Sequence, residues 1–181
     1  MSVSTNPSND TTSMLDMLYS DFEAEHAATR RLLERFPNSR HDWRPHEHSR
    51  TLAELATHVA DIPNRGVAIL TTNEMQAGAR KPPTPLTTAA ELLAAHDAAV
   101  AAQRAALANT DLAGLSSEWA IKRGDQVVTR GPRYRLLRTV MMSHLVHHRA
   151  QLGVYYRLLG VPVPGMYGPS ADDLAGRTQT Q

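Results

Sequence analysis

The stretch MMSHLVHHRAQLGVYYRLLG, residues 141–160, sets His144, His147 and His148 within what otherwise reads as an apolar helix. A helix advances about 100° per residue, so positions four apart lie about 40° from each other. His144 and His148 therefore point the same way, along with Leu137, Met141, Gln151, Leu152 and Tyr155. His147 is turned about 60° from His144, toward a flank. Two imidazoles on a core-facing side are costly unless something satisfies their nitrogens. A divalent ion does so directly, because each neutral imidazole offers it a lone pair. A further protein ligand is needed, and with no cysteine in the chain it must be histidine, aspartate or glutamate. His58 is the foremost candidate, lying among Leu52, Leu55, Val59 and Ile62 on the inward stripe of another helix. Three histidines plus water or substrate is the composition of a catalytic centre rather than a closed structural one.

Spacing alone leaves a second reading open. The chain holds nine histidines, and a His-x-x-x-His pair arises on helices by chance. A histidine on an apolar face is more often a core residue bonded to a neighbour. Around the candidate set stand further polar groups. Asp61, three residues beyond His58, can brace a ligand or simply face solvent. Gln151 can bond a ligand histidine or a substrate, and Tyr155 can line a pocket or pack. Arg149 can pair with an acid of a neighbouring helix or with an anionic substrate, while His147 does acid–base work only if it turns inward. His26, beside Glu25 in the first helix, can line the pocket. No general base stands out. His96 has no evident partner, and His41, His46 and His48 fall in a polar linker.

Four helical segments must position these groups. The first runs from about Met14 to Phe36, with Leu15, Leu18, Phe22, His26, Thr29, Leu33 and Phe36 in one stripe, and Pro37-Asn38 stops it. Trp43 is the expected anchor of the polar linker after it. The second helix opens with the capping-box pattern Thr51-Leu-Ala-Glu54, and Pro63 bends or breaks it one turn after His58. The third begins at Thr87 or Thr88 with Glu91 as reciprocal cap and is alanine-rich. The fourth opens at Gly131-Pro132 and stops at Gly160, Pro162 and Pro164. Residues 111–130 read as either a short extended pair or a long loop. Four long helices around one core make an all-α helix bundle. The expected division is a flexible arm over 1–12, one domain over 13–170 and a polar tail over 171–181.

Composition bounds the function classes. Nineteen basic and eighteen acidic residues give a net charge of +1, which supplies no global pull toward nucleic acid or anionic lipid. A local excess runs from Lys122 to Arg149, with Lys122, Arg123, Arg130, Arg133, Arg135, Arg138 and Arg149 against Asp125. It reads first as a solvated face and second as a rim attracting an anion. It lacks the interleaved aromatics of a nucleic-acid reader, so no nucleic acid is expected as partner. No apolar run reaches the length of a membrane span, the N-terminus lacks a secretory pattern, and cysteine is absent; a cytoplasmic protein with no membrane partner is the expectation.

The segment HLVHHRAQLGVYYRLLGVPVPGMYGPS resembles the DinB family, the DinB/YfiT-like putative metalloenzymes, in His144, His148, Arg149-x-Gln151 and Leu158-Leu159-Gly160. The Pro162-x-Pro164 exit and Tyr167-Gly168-Pro169-Ser170 complete the match, and LAELATHVADIPNRG resembles the family's second-helix segment. The resemblance covers nearly the whole chain. It implies a four-helix bundle with long crossover connections, a divalent metal (nickel or zinc foremost) on His58, His144 and His148, and a homodimer. Characterised relatives include transferases and isomerases that use a low-molecular-weight thiol. The resemblance therefore implies a metal that activates an exogenous thiol cosubstrate toward an electrophilic small molecule, or water in a hydrolase. A non-enzymatic metal-binding protein is the remaining alternative.

Overall fold

A computed structural model of the chain describes residues 7–178, with side chains described from 16 to 176. Helix α1 spans Pro7–Leu33. The expected arm over 1–12 is thus helical from Pro7 onward, where proline suits a helix start, and residues 1–6 lie outside the described residues. Its inward stripe is buried at Phe22, His26, Thr29 and Leu33 and half-buried at Leu18; the side chain of Leu15 lies outside the described residues.

Helix α2, Leu52–Asp61, opens on a complete capping box: Thr51 Oγ1 accepts from the Glu54 amide at 3.2 Å and Glu54 Oε2 accepts from the Thr51 amide at 2.7 Å. Helix α3, Pro63–Thr71, begins after Ile62 alone, which keeps helical dihedrals, so Pro63 marks a break between two helices. Proline has no amide to continue the ladder, and at the first position of a new helix none is needed. Helix α4, Ala89–Ala108, starts on a second capping box made by Thr88 and Glu91.

The stretch over 111–130 is the extended pair, preceded by one short helix, α5 (Leu112–Ser116). Strands β2 (Glu118–Arg123) and β3 (Gln126–Pro132) form an antiparallel hairpin around Gly124-Asp125, and Gly124 takes a φ of 58°, which glycine adopts at little cost. A third strand, β1 (Glu74–Gln76), pairs parallel to β2, giving the order β1-β2-β3. The expectation of an all-α chain is corrected by this sheet: the fold is mainly helical with a small three-stranded sheet. Trp119, in β2, explains why the hairpin holds. Its side chain is buried in the core and its indole N–H donates to Thr72 Oγ1 at 3.1 Å.

The segment expected as one long fourth helix is α6 (Arg133–Leu136), a π-helical turn over Leu137–Met142, and α7 (Ser143–Leu158). A π turn inserts a residue and resets the register of the helix beyond it, and such turns recur at functional sites. Here it ends two residues before His144. The buried stripe of α7 is Leu145, Arg149, Leu152 and Tyr156, with His144 and His148 along its edge, His144 half-buried. Gly160 takes a φ of 70° and the Val161 amide returns to the Tyr156 carbonyl at 2.9 Å, closing the helix. The expected polar tail instead carries a final helix, α8 (Ala171–Thr178), with residues 179–181 outside the described residues. Ser170 and Asp173 cap one another, and Asp172 pairs with Arg157 of α7 at 2.7 Å.

One core binds these elements. Helix α2 packs against both α4 and α7, and α1 touches all three. Leu52, Leu55, Val59, Leu92, Leu137, Met141, Leu145 and Leu152 belong to a single buried cluster. That packing sets the outer edge of α2 beside the outer edge of α7.

Candidate metal centre

His58 projects from the middle of α2, and His144 and His148 project from consecutive turns of α7. One ligand atom from each lies within 4.8 Å of the others. The Nε2 atoms of His58 and His144 are 2.8 Å apart, and the ring centroids of His58 and His144 stand 4.5 and 4.6 Å from that of His148. Two Nε2 atoms at that distance share one proton at most when both rings are neutral. Three imidazoles that bring one nitrogen each this close together are a donor set that fits a divalent cation.

The electrostatics keep those lone pairs free. Burial, with the Arg50 guanidinium and the other two imidazoles nearby, pushes His58 down to about 3. Burial and then the charge of Arg65 push His144 down to about 4. His148 is lowered as well, chiefly by burial, against the opposing effect of its bond to Gln151. All three rings are therefore neutral at pH 7.

Gln151 fixes one ring. Its Oε1 lies 2.7 Å from His148 Nδ1, so Nδ1 carries the proton and Nε2 is the nitrogen left with a free lone pair. His147 lies on the flank and packs edge-on against His148, with centroids 4.9 Å apart. The Tyr155 hydroxyl donates to the Arg50 carbonyl at 3.2 Å and its ring meets Trp43 edge-to-face at 5.5 Å. Trp43 thus anchors the linker, as expected, and the same contact brings Arg50 beside α7. Asp61 accepts from Arg80 through both guanidinium nitrogens, at 2.5 and 2.7 Å, and from Asn64 at 2.9 Å.

Two candidate residues stand apart from the three histidines. Arg149 is 2% exposed, with its guanidinium on Glu25 Oε2 at 2.6 Å, the Glu25 carbonyl at 2.9 Å and Tyr167 Oη at 2.6 Å. It ties α1, α7 and the segment after Gly160 together. His26 is buried against His96, with ring centroids 5.6 Å apart, and its Nε2 lies 3.1 Å from Gln103 Oε1. The local basic run is also spent in structure: Lys122 pairs with Glu74, Arg130 with Glu118 and Arg138 with Asp21.

A cleft of about 410 Å³ opens onto His58. It is lined by Thr57, Asp61 and Pro82, and by the charged groups Arg50, Glu54, Arg65, Arg80 and Lys81. The sequence pattern does not single out Arg50 or Arg65. The available signal is spacing, since Arg65 lies seven residues beyond His58 and two helical turns return to the same face.

The DinB family model matches residues 1–181. No curated protein matches the chain. Among solved structures, a DinB-like protein from Bacillus subtilis shares 20% identity with a TM-score of 0.63, covering 83% of this chain and 97% of its own. A DinB-like protein from Bacillus cereus ATCC 10987 shares 20% identity with a TM-score of 0.65, covering 83% and 95% respectively. Both likenesses concern the fold, and with a mainly helical chain matched by the family model from end to end, this protein belongs to the DinB family.

Proposed function

We propose that the chain binds one divalent ion, nickel or zinc, through His58, His144 and His148, and that it transfers a low-molecular-weight thiol to an electrophilic small molecule. The observation that carries this reading is the convergence of three imidazoles from two separate helices within 4.8 Å. The ion, when bound, supplies Lewis acidity that lowers the pKa of a thiol or water. The chain's own residues do the rest. Gln151 holds His148 in the tautomer that presents Nε2, burial keeps the three rings unprotonated, and the cleft beside His58 admits a small substrate. Because the chain has no cysteine, the sulfur must come from a cosubstrate.

At the level of architecture, we read α1, α2 with α3, α4 and α7 as the family's four-helix bundle, one domain over 13–170, working in the cytoplasm as a homodimer. Cobalt-loaded protein tests the thiol reading directly. Added small thiol should produce a sulfur-to-cobalt charge-transfer band in the wild type and none in His144→Ala. Absence of that band with every thiol tried would leave hydrolysis or simple metal binding in its place.

A further inference from the structure

The cleft beside His58 has an uneven charge. Four cationic side chains (Arg50, Arg65, Arg80, Lys81) and two acidic ones (Glu54, Asp61) line it, an excess of two positive charges. The two acids are already engaged. Asp61 is clasped by Arg80 and Asn64, and Glu54 closes the capping box of α2. Neither Arg50 nor Arg65 closes an ion pair among the described residues, although the Asp61 carboxylate, clasped by Arg80, lies near enough to act on Arg65. Arg65 is half-buried, where a guanidinium without a direct carboxylate partner is costly, and burial lowers its pKa against the opposing charge of Asp61.

Position makes this more than a surface charge. Arg50 immediately precedes the N-cap of α2, and its carbonyl is held by Tyr155 of α7. Arg65 lies in α3, and the break at Pro63 keeps it in the same cleft as His58. The two guanidiniums flank the helix that carries His58, one just before its N-cap and the other in the helix that follows it. Adding a dication on three neutral imidazoles would raise the positive excess beyond what Glu54 and Asp61 offset.

We infer that Arg50 and Arg65 form an anion-binding subsite, and that the substrate or cosubstrate is a small organic anion whose carboxylate or phosphate group docks there. Guanidinium binds either oxyanion through paired N–H donors; Arg65 is half-buried, which strengthens such a bond, whereas Arg50 is exposed. The volume of the cleft, about 410 Å³, suits a small molecule rather than a polymer. This inference rests on the metal reading only for its choice of reaction partner; the subsite itself is a property of the two arginines.

Calorimetric titration of the zinc-loaded full chain at low ionic strength tests it, with succinate, glycerol 3-phosphate and neutral succinamide as probes. At least one anion should bind, with succinamide weaker by about tenfold or more, and Arg50→Gln and Arg65→Gln should each weaken that anion by about tenfold. Zinc stoichiometry should be unchanged in both variants, and the tighter anion distinguishes carboxylate from phosphate. Arg65→Lys, which keeps charge and bulk, should retain part of the affinity and guards against a folding defect in the glutamine variant. No anion binding, no preference over the amide, or equal affinity in wild type and both variants would overturn the subsite. If the wild type takes up no zinc, the metal reading fails separately, while the same titration on metal-free protein still judges the arginines.

Discussion

At the scale of single residues, the chemistry of the site depends on which imidazole nitrogen is free. Gln151 decides this for His148, because its Oε1 accepts a hydrogen bond from Nδ1 at 2.7 Å. Gln151→Leu should therefore leave the fold intact and weaken metal affinity by about 10–100-fold, the usual effect of losing such a support, as measured by competition with a chelator. Unchanged affinity would remove Gln151 from the site. Protonation gives a second test. His58 is pushed to about 3 and His144 to about 4 in the folded chain, against an ordinary value of 6.5. In that window the unfolded chain takes up protons that the folded chain refuses, so stability of the metal-free protein should fall as pH drops from about 6.5 toward about 4. His58→Gln cannot titrate, so its thermal midpoint should fall less steeply over the same range. An identical slope in the two proteins would contradict the assigned shift.

At the scale of elements, the site exists because α2 and α7 lie edge to edge, and Arg149 is one of the groups that hold α7 in place. Its guanidinium joins Glu25 of α1 to Tyr167, beyond the end of α7. Arg149→Ala would leave the Glu25 carboxylate, whose side chain is 15% exposed, without its cation and with the Tyr167 hydroxyl as its remaining donor, and should cost about 3–5 kcal/mol in denaturant unfolding. A loss near zero would show that the segment is held by other contacts. Much of this scale is readable in the sequence, because local signals carry it. The capping boxes at Thr51 and Thr88 and the stop at Gly160 are short-range chemistry, and each appears where the residues put it. The π turn over Leu137–Met142 is not readable, since Leu137, Met141 and His144 satisfy an unbroken helical period as well. The hairpin over 118–132 is only half visible: its turn is marked by Gly124-Asp125, whereas its third strand, Glu74–Gln76, is recruited by tertiary packing.

At the scale of the whole molecule, the three histidines can be named from the sequence but their convergence cannot. The pair on α7 comes from helical geometry, whereas bringing His58 to it requires the path of the chain between residues 58 and 144. The same limit hides the charged cleft. Arg50 and Arg65 belong to separate segments, and the conspicuous basic run from Lys122 to Arg149 is largely consumed by ion pairs and backbone carbonyls. The fold thus concentrates positive charge where the imidazoles meet, which no one-dimensional charge pattern displays. The central claim is that these imidazoles grip one cation, and elemental analysis of protein purified without a histidine tag tests it most directly. The wild type should carry about one divalent ion per chain, and His58→Ala, His144→Ala and His148→Ala should each lose it while keeping their helical circular dichroism. Wild-type metal content persisting in all three variants would contradict the account.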